Sequence, residues 1–387
     1  MKYWRGYLVA AIIGFFTWAL LAYAQTHSAL IDMVYPYVSR MIQSFLADWS
    51  STVAVCVWQI AAIVLVALAL AGIVLMIILR WNPIQLLGWF LAVASLIFFI
   101  HVGMYGLNGY AGPIAEDMRL NVTEYNIQEL EDATAYYRDK ANELSHKVNR
   151  DGAGNPLYPE FATLAEQAAE GFDNLVYQQG YSIFAGSTVP VKELGWADMY
   201  TSMGITGFTM SITGEAAVNP QTPVVGMPFT MCHEMAHRMC IQNERDANFS
   251  AYLACEANTT PEFQYSGYFM AYRYCYAALA KLDAEAAGRV RAGLDSLVAQ
   301  DLAAYQSFFA EKEDPDAREV ADTINNGYIN ISGDDRGIDS YGDVVQLLVS
   351  WHIQEVILPQ QIPDVKPEFD PYDVDLNATA PTEAVNG

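Results

Sequence analysis

Apolar and polar positions divide this chain into two territories. Up to about residue 114 the apolar positions run together. Three runs there are long enough to cross a bilayer, which takes about 20 helical residues. They are 7–24 (YLVAAIIGFFTWALLAYA), 53–79 (VAVCVWQIAAIVLVALALAGIVLMIIL) and 85–107 (QLLGWFLAVASLIFFIHVGMYGL). Trp4, Trp81 and Trp89 lie near their ends, where indole rings favour the interface. The first run also has the basic lead (Lys2, Arg5) and the Ala22-Tyr23-Ala24 ending of a signal peptide, but it is longer than the usual apolar region of one.

Beyond 114 the apolar positions are spaced rather than continuous. Ile127, Leu130, Ala133 and Tyr137 recur at helical intervals and predict a helix within 124–148, and 160–178 has the same texture. The stretch 203–219 (MGITGFTMSITGEAAVN) is rich in Thr, Ile, Phe and Gly, which is strand or loop chemistry. Pro220, Pro223, Gly226 and Pro228 then punctuate a loop, and helical spacing resumes from about 229 to 356. The tail 359–387 has many prolines and acids and few large apolar residues, a composition that predicts disorder. The fold class expected is therefore a membrane anchor of three helical spans (1–114), followed by a mostly helical α+β domain (115–358).

Charge sharpens this division. Residues 1–114 hold four basic side chains (Lys2, Arg5, Arg40, Arg80) and two acidic ones (Asp32, Asp48). Of the chain's 20 basic and 44 acidic residues, 16 and 42 remain for 115–387, a net charge of −26. A nucleic-acid partner needs a basic footprint and is excluded. Lys2 and Arg5 precede the first run, and Arg80 lies between the second and third. The positive-inside bias makes both places cytoplasmic, with the 25–52 loop and everything after the third span outside. The expectation is an integral protein of the cell membrane with an extracytoplasmic domain. His101, inside the third run, is expected to be hydrogen-bonded to a neighbouring helix. The five cysteines show no CxxC spacing, which argues against a thiolate zinc site. An exported domain with four cysteines could hold disulfides, but Cys232 and Cys240 are eight apart on what reads as one helix, too far for a bridge within it, and buried free thiols are expected for at least some of the cysteines.

The chemistry lies in 229–256 (FTMCHEMAHRMCIQNERDANFSAYLACE). It contains His233-Glu234-Met235-Ala236-His237, an HExxH motif. On a helix, positions i and i+4 share one face, so both imidazoles can bind one metal ion, with Glu234 placed to act as general base on water. A catalytic zinc takes three protein ligands and leaves one position open. Two candidates for the third are Glu244, seven residues after His237, and Glu256, nineteen after it. Seven residues of straight helix rise about 10 Å. Glu244 therefore requires a turn at about 240–243 and a new helix starting near it, for which Asn243 is a good N-cap.

Asn243-Glu244-x-x-Ala247-Asn248 resembles the second-helix motif of gluzincin metallopeptidases, both the thermolysin-like enzymes and those of the ImmA/IrrE type. The resemblance implies that Glu244 is the third zinc ligand and Asn248 its supporting neighbour one turn on. The surroundings of Glu256 lack that order. The chain as a whole is similar to a bacterial family of three-span membrane proteins, domain of unknown function 3810. The matching pieces include YPYVSR at 35–40, GITG at 204–207, PFTMCHEMAH at 228–237, ERDANFSAYLAC at 244–255 and DSYGDVVQLL at 339–348. That likeness implies a zinc peptidase chemistry and no particular substrate.

Other expectations follow. Residues 204–213 are the candidate edge strand against which a peptide substrate would lie. Tyr341 or His352 is expected to face the oxyanion of the reaction, Tyr341 being better placed. Glu215 is expected to be a solvated loop charge rather than a contact for a substrate amine, and Asp246 a charge favoured at a helix N-terminus. The function expected is a membrane-anchored zinc-dependent metallohydrolase, a peptidase acting on peptide or protein substrates. The alternative is a non-catalytic metal-binding sensor or scaffold that binds peptides or envelope ligands. An intramembrane protease is disfavoured, because HExxH lies in polar sequence far beyond the last span.

Overall fold

The computed structural model describes residues 4–331 and 344–361. It is mostly helical. Three helices match the apolar runs and are long and apolar enough to cross a membrane: α1 (Arg5–Thr26), α3 (Val57–Ile78) and α4 (Pro83–Met104). Asn82 caps α4 by accepting from the Ile84 N–H at 2.9 Å, and Pro83 occupies the first turn, where no N–H is needed. The helices α1 and α4 run parallel in close contact. A side chain at Gly6 would strike the backbone of Gly88, so the absence of one on either helix is what permits the crossing.

The segment expected as a 25–52 loop is instead a 24-residue helix, α2 (Ser28–Ser51). Its polarity is inverted relative to a soluble surface helix. Polar Ser39, Arg40 and Gln43 are buried against the rest of the protein, whereas Met33, Tyr37, Met41, Phe45 and Trp49, one turn apart, are exposed. Three interior charges (Asp32, Arg40, Asp48) hide this helix from a search for continuous apolar runs.

The body begins after a 3-10 turn at Gly106–Tyr110 and the short α5 (Ile114–Asp117). The expected helices are present as α6 (Ile127–Ser145), opened by a capping box between Asn126 and Glu129, and α7 (Phe161–Tyr177). Three short strands follow, β1 (Lys192–Glu193), β2 (Gly207–Met210) and β3 (Glu215–Val218), with α8 (Ala197–Ser202) after β1. The order is β1-β3-β2, with β1 parallel and β2 antiparallel to β3. The register pairs Gly207 with Val218 and Met210 with Glu215, so β2 is an edge of the sheet.

Helices α9 (Met227–Arg238), α10 (Glu244–Ala257) and α11 (Pro261–Leu282) form the centre of one continuous core. Helices α12 (Ala284–Ala292), α13 (Ser296–Lys312) and α15 (Val344–Trp351) and a π-helix at His352–Ile357 add to it, and α14 (Pro315–Ile331) and α16 (Leu358–Gln361) complete the described elements. Helix α9 packs on β2 and β3 on one side and on α10 on the other. Of the predicted acidic tail, residues 362–387 lie outside the described residues.

The break between α9 and α10 is a Schellman turn. The Cys240 N–H donates to the His237 carbonyl (2.9 Å) and the Ile241 N–H to that of Ala236 (3.1 Å). Cys240 takes the left-handed position usually held by glycine, with φ 70°, and its Sγ lies 3.2 Å from Ser39 Oγ of α2. Cys240 is thus past the end of α9 and does not share a helix with Cys232. All five cysteines are free and buried, and Cys232 and Cys255 have Sγ atoms 3.8 Å apart across the α9–α10 contact.

Candidate metal centre

Helix α9 has no internal glycine, and Pro228 sits in its first turn, so it runs unbroken through His233 and His237. The turn at 239–243 then reverses the chain. Asn243 caps α10 by accepting from the Arg245 N–H at 3.0 Å, which places Glu244 in the first turn of α10, facing back to the histidines. Among the described residues, His233, His237 and Glu244 form the group of potential ligands, with one ligand atom from each within 4.8 Å of the others. The Nε2 atoms of the two histidines are 3.1 Å apart. Glu244 Oε2 is 3.3 Å from His233 Nε2, and Glu244 Oε1 is 3.6 Å from His237 Nε2.

These separations fit a cation. Tetrahedral ligands bound at about 2.0–2.1 Å from one centre lie about 3.3–3.4 Å apart, close to the 3.1 Å between the two Nε2 atoms and to the 3.3 and 3.6 Å from each of them to one oxygen of Glu244. The hydrogen bonding agrees. His237 Nδ1 is 2.8 Å from the Ile241 carbonyl, which can only accept, so Nδ1 carries a proton and Nε2 is the atom left to bind a metal. Glu244 Oε2 is buried without a hydrogen bond of good geometry, as is His233 Nδ1. Burial opposes the charge on Glu244, but the two imidazoles outweigh it and hold this carboxyl well below the usual range. Burial likewise opposes the charge on His237, yet Glu244 pushes its pKa up to about 9. The two histidines and the carboxylate are 12–13% exposed, so the centre is not sealed from solvent.

Glu234 occupies the strand side of α9. The Thr209 hydroxyl of β2 lies 2.8 Å from its Oε2 and 2.9 Å from its backbone carbonyl, with one proton to share between these two acceptors. Any side chain at Gly207 would collide with this carboxyl, so the bare backbone of β2 is what lets it fit. Burial raises the Glu234 pKa, only partly offset by His233, His237 and Thr209, which suits a proton acceptor.

Asn248, one turn beyond Glu244, accepts a hydrogen bond from Tyr274 of α11 at 3.3 Å. Glu244 contributes to the raised pKa of the Tyr274 hydroxyl after burial and neighbouring side chains, which puts Tyr274 in the same neighbourhood. Thr209 and Tyr274 were missed at the level of sequence. Thr209 lies within the strand segment, but nothing marked it as a partner of Glu234, and Tyr274 is one of 24 tyrosines without a motif.

Several expected roles change. Glu256 is far from being a ligand: its Oε1 accepts from Tyr252 (2.9 Å) and Tyr268 (2.6 Å). His352 belongs to that tyrosine cluster, its ring centroid 4.9 Å from that of Tyr136. Tyr341 lies outside the described residues. Glu215 is not solvated. Only 2% exposed, it pairs with Lys192 at 2.6 Å and accepts the N–H groups of Val57 and Trp58 at 2.7 and 3.0 Å, capping the membrane helix α3. Asp246 does stand in the first turn of α10, but buried, accepting from the Ile114 N–H and from Arg245. His101, expected to bond a neighbouring helix, has a hydrogen bond with Ser211 after β2 (2.7 Å). A cavity of about 420 Å³ adjoins the 239–243 turn between α2 and residues 108–117. It is lined by Tyr37, Arg40, Asn108 and Gln242 among others, and by none of the three ligands or Glu234.

No curated protein and no solved structure matches the chain. A family model does match, over residues 31–349, a span that takes in most of α2, the whole HExxH helix and most of α15. The chain belongs to that family, described as Protein of unknown function (DUF3810).

Proposed function

We propose that this protein is a membrane-anchored zinc peptidase with a gluzincin-like centre, in which His233, His237 and Glu244 hold the metal. The observation that carries this reading is the convergence of the two Nε2 atoms, 3.1 Å apart, on the carboxylate of Glu244, whose Oε2 is 3.3 Å from His233 and whose Oε1 is 3.6 Å from His237, beside a buried Glu234. Zinc bound there supplies Lewis-acid polarisation of a carbonyl and lowers the pKa of water. The chain's own residues do the rest. Glu234, its pKa raised by burial, accepts a proton from the attacking water and passes it to the leaving amine. Thr209 fixes the rotamer of that carboxylate from the strand side. The Ile241 carbonyl holds the His237 ring in the tautomer that presents Nε2. The edge strand β2, beside Glu234, offers main-chain hydrogen bonds to an extended substrate.

The test is metal content by mass spectrometry on the full chain purified in detergent, since α2 is packed into the body and the body has not been separated from it. About one zinc per chain is expected. No zinc above background in folded protein overturns the reading. With zinc established, Glu234→Gln is expected to keep the metal and to lose peptide cleavage by about 10²- to 10⁴-fold. Zinc retained but no cleavage by the wild type above that of Glu234→Gln leaves a metal-binding scaffold in its place.

A further inference from the structure

The candidate centre is fastened to the membrane from three directions. The spans α1 and α4 run parallel, so Thr26 and Met104 end on one face of the bilayer. Tyr105, the first residue past α4, donates to the His237 carbonyl at 3.0 Å. One turn earlier, His101 holds Ser211 at the end of β2. The N-terminus of α3 is capped by Glu215 of β3, and Trp58 in its first turn lies 5.4 Å from the ring of Phe208 on β2. The start of α3 is therefore on the same face as the ends of α1 and α4.

Helix α2 joins α1 to α3, so both its ends also lie on that face, and it runs along the bilayer rather than across it. Its outward stripe of Met33, Tyr37, Met41, Phe45 and Trp49 is what an interfacial helix buries in lipid. Its other face holds the turn that carries the triad. Arg40 donates to the Met239 carbonyl, Ser39 meets Cys240, and Gln43 donates to the Ser211 carbonyl. Phe208 on β2 is likewise exposed. The strand β2 is four residues long, about 13 Å. A chain laid along it is thus within a few residues of the headgroups.

We propose that the substrate is the extended juxtamembrane segment of a polypeptide anchored in the same membrane, taken within a few residues of its anchor. This rests on the peptidase reading above. A freely diffusing peptide must reach an edge close to the lipid surface, past a strongly acidic segment, residues 115–387, of net charge −26. An anchored chain is already confined there, at a high effective concentration.

The experiment uses the full chain, zinc-loaded, in proteoliposomes. A degenerate ten-residue peptide mixture is offered free, on a transmembrane anchor through a five-residue spacer, and on the same anchor through a 25-residue spacer. Cleavage of the short-spacer form at least tenfold faster than both others is expected. Equal rates for the short and long spacers, or for anchored and free peptide, overturn this inference and leave the peptidase reading intact. No cleavage of any form beyond that of Glu234→Gln overturns the peptidase reading and this inference with it.

Discussion

Helix α10 carries a buried glutamate near each end, and the two meet opposite environments. Glu244, in the first turn, faces two imidazoles and keeps one oxygen without a hydrogen bond. Glu256, in the last turn, is enclosed by Tyr252 and Tyr268, with Trp351 also donating. Burial raises the Glu256 carboxyl and the hydroxyls recover only part of that shift, whereas positive partners drive Glu244 down. One carboxylate is poised as an anion with a free coordination site. The other is a satisfied member of a packed polar cluster. Burial alone therefore does not mark a functional carboxylate, and the partners decide.

The comparison can be broken most severely at Glu244. Glu244→Gln is expected to weaken zinc binding by more than about 100-fold, because the loss of supporting groups outside the ligand set already costs 10–100-fold. Competition with a chromophoric chelator measures it. Unchanged affinity in this variant, with zinc lost instead in Glu256→Gln, would exchange the two roles. Next in size is Asn248→Ala, expected to cost about 10-fold in metal affinity through the loosening of Tyr274 beside Glu244. An effect as large as that of Glu244→Gln would make Asn248 a ligand.

The smallest effect sharpens the other end. Glu256→Gln is expected to keep zinc and to change stability in a pH-dependent way. The folded pKa of Glu256 is raised above its unfolded value. Its contribution to stability is therefore full below the ordinary glutamate range and declines as pH rises through the folded pKa. The non-titrating amide escapes that decline. Melting in detergent with metal chelated should show the variant gaining about 2–4 °C on the wild type between acid and alkaline pH. A difference independent of pH would mean that Glu256 is not held above its ordinary range.

Continuous apolar runs determined the three spans, because a bilayer rewards length and hydrophobicity in one segment irrespective of its neighbours. The HExxH spacing and the Asn243 cap were equally local, and the turn at 239–243 and the helix beginning at Glu244 lie where they predict. Residues 204–213 do contain the edge strand, in the shorter form Gly207–Met210. Three features depended on contacts far apart in the chain and left no periodic signal. Helix α2 reads as a loop until the body accepts its polar face and the bilayer side receives its apolar one. Glu215 reads as a solvated charge until Lys192 and the first N–H groups of α3, more than 150 residues away, close around it. Glu244 and Glu256 are separated by motif resemblance alone in the sequence. Only the packing of α10 between α9 and the tyrosines of α11 determines which meets nitrogen and which meets hydroxyl. The sequence sets local geometry because backbone hydrogen bonding and side-chain spacing act over a few residues. The charge state and partner of a buried polar group are decided by whichever distant segments fold over it.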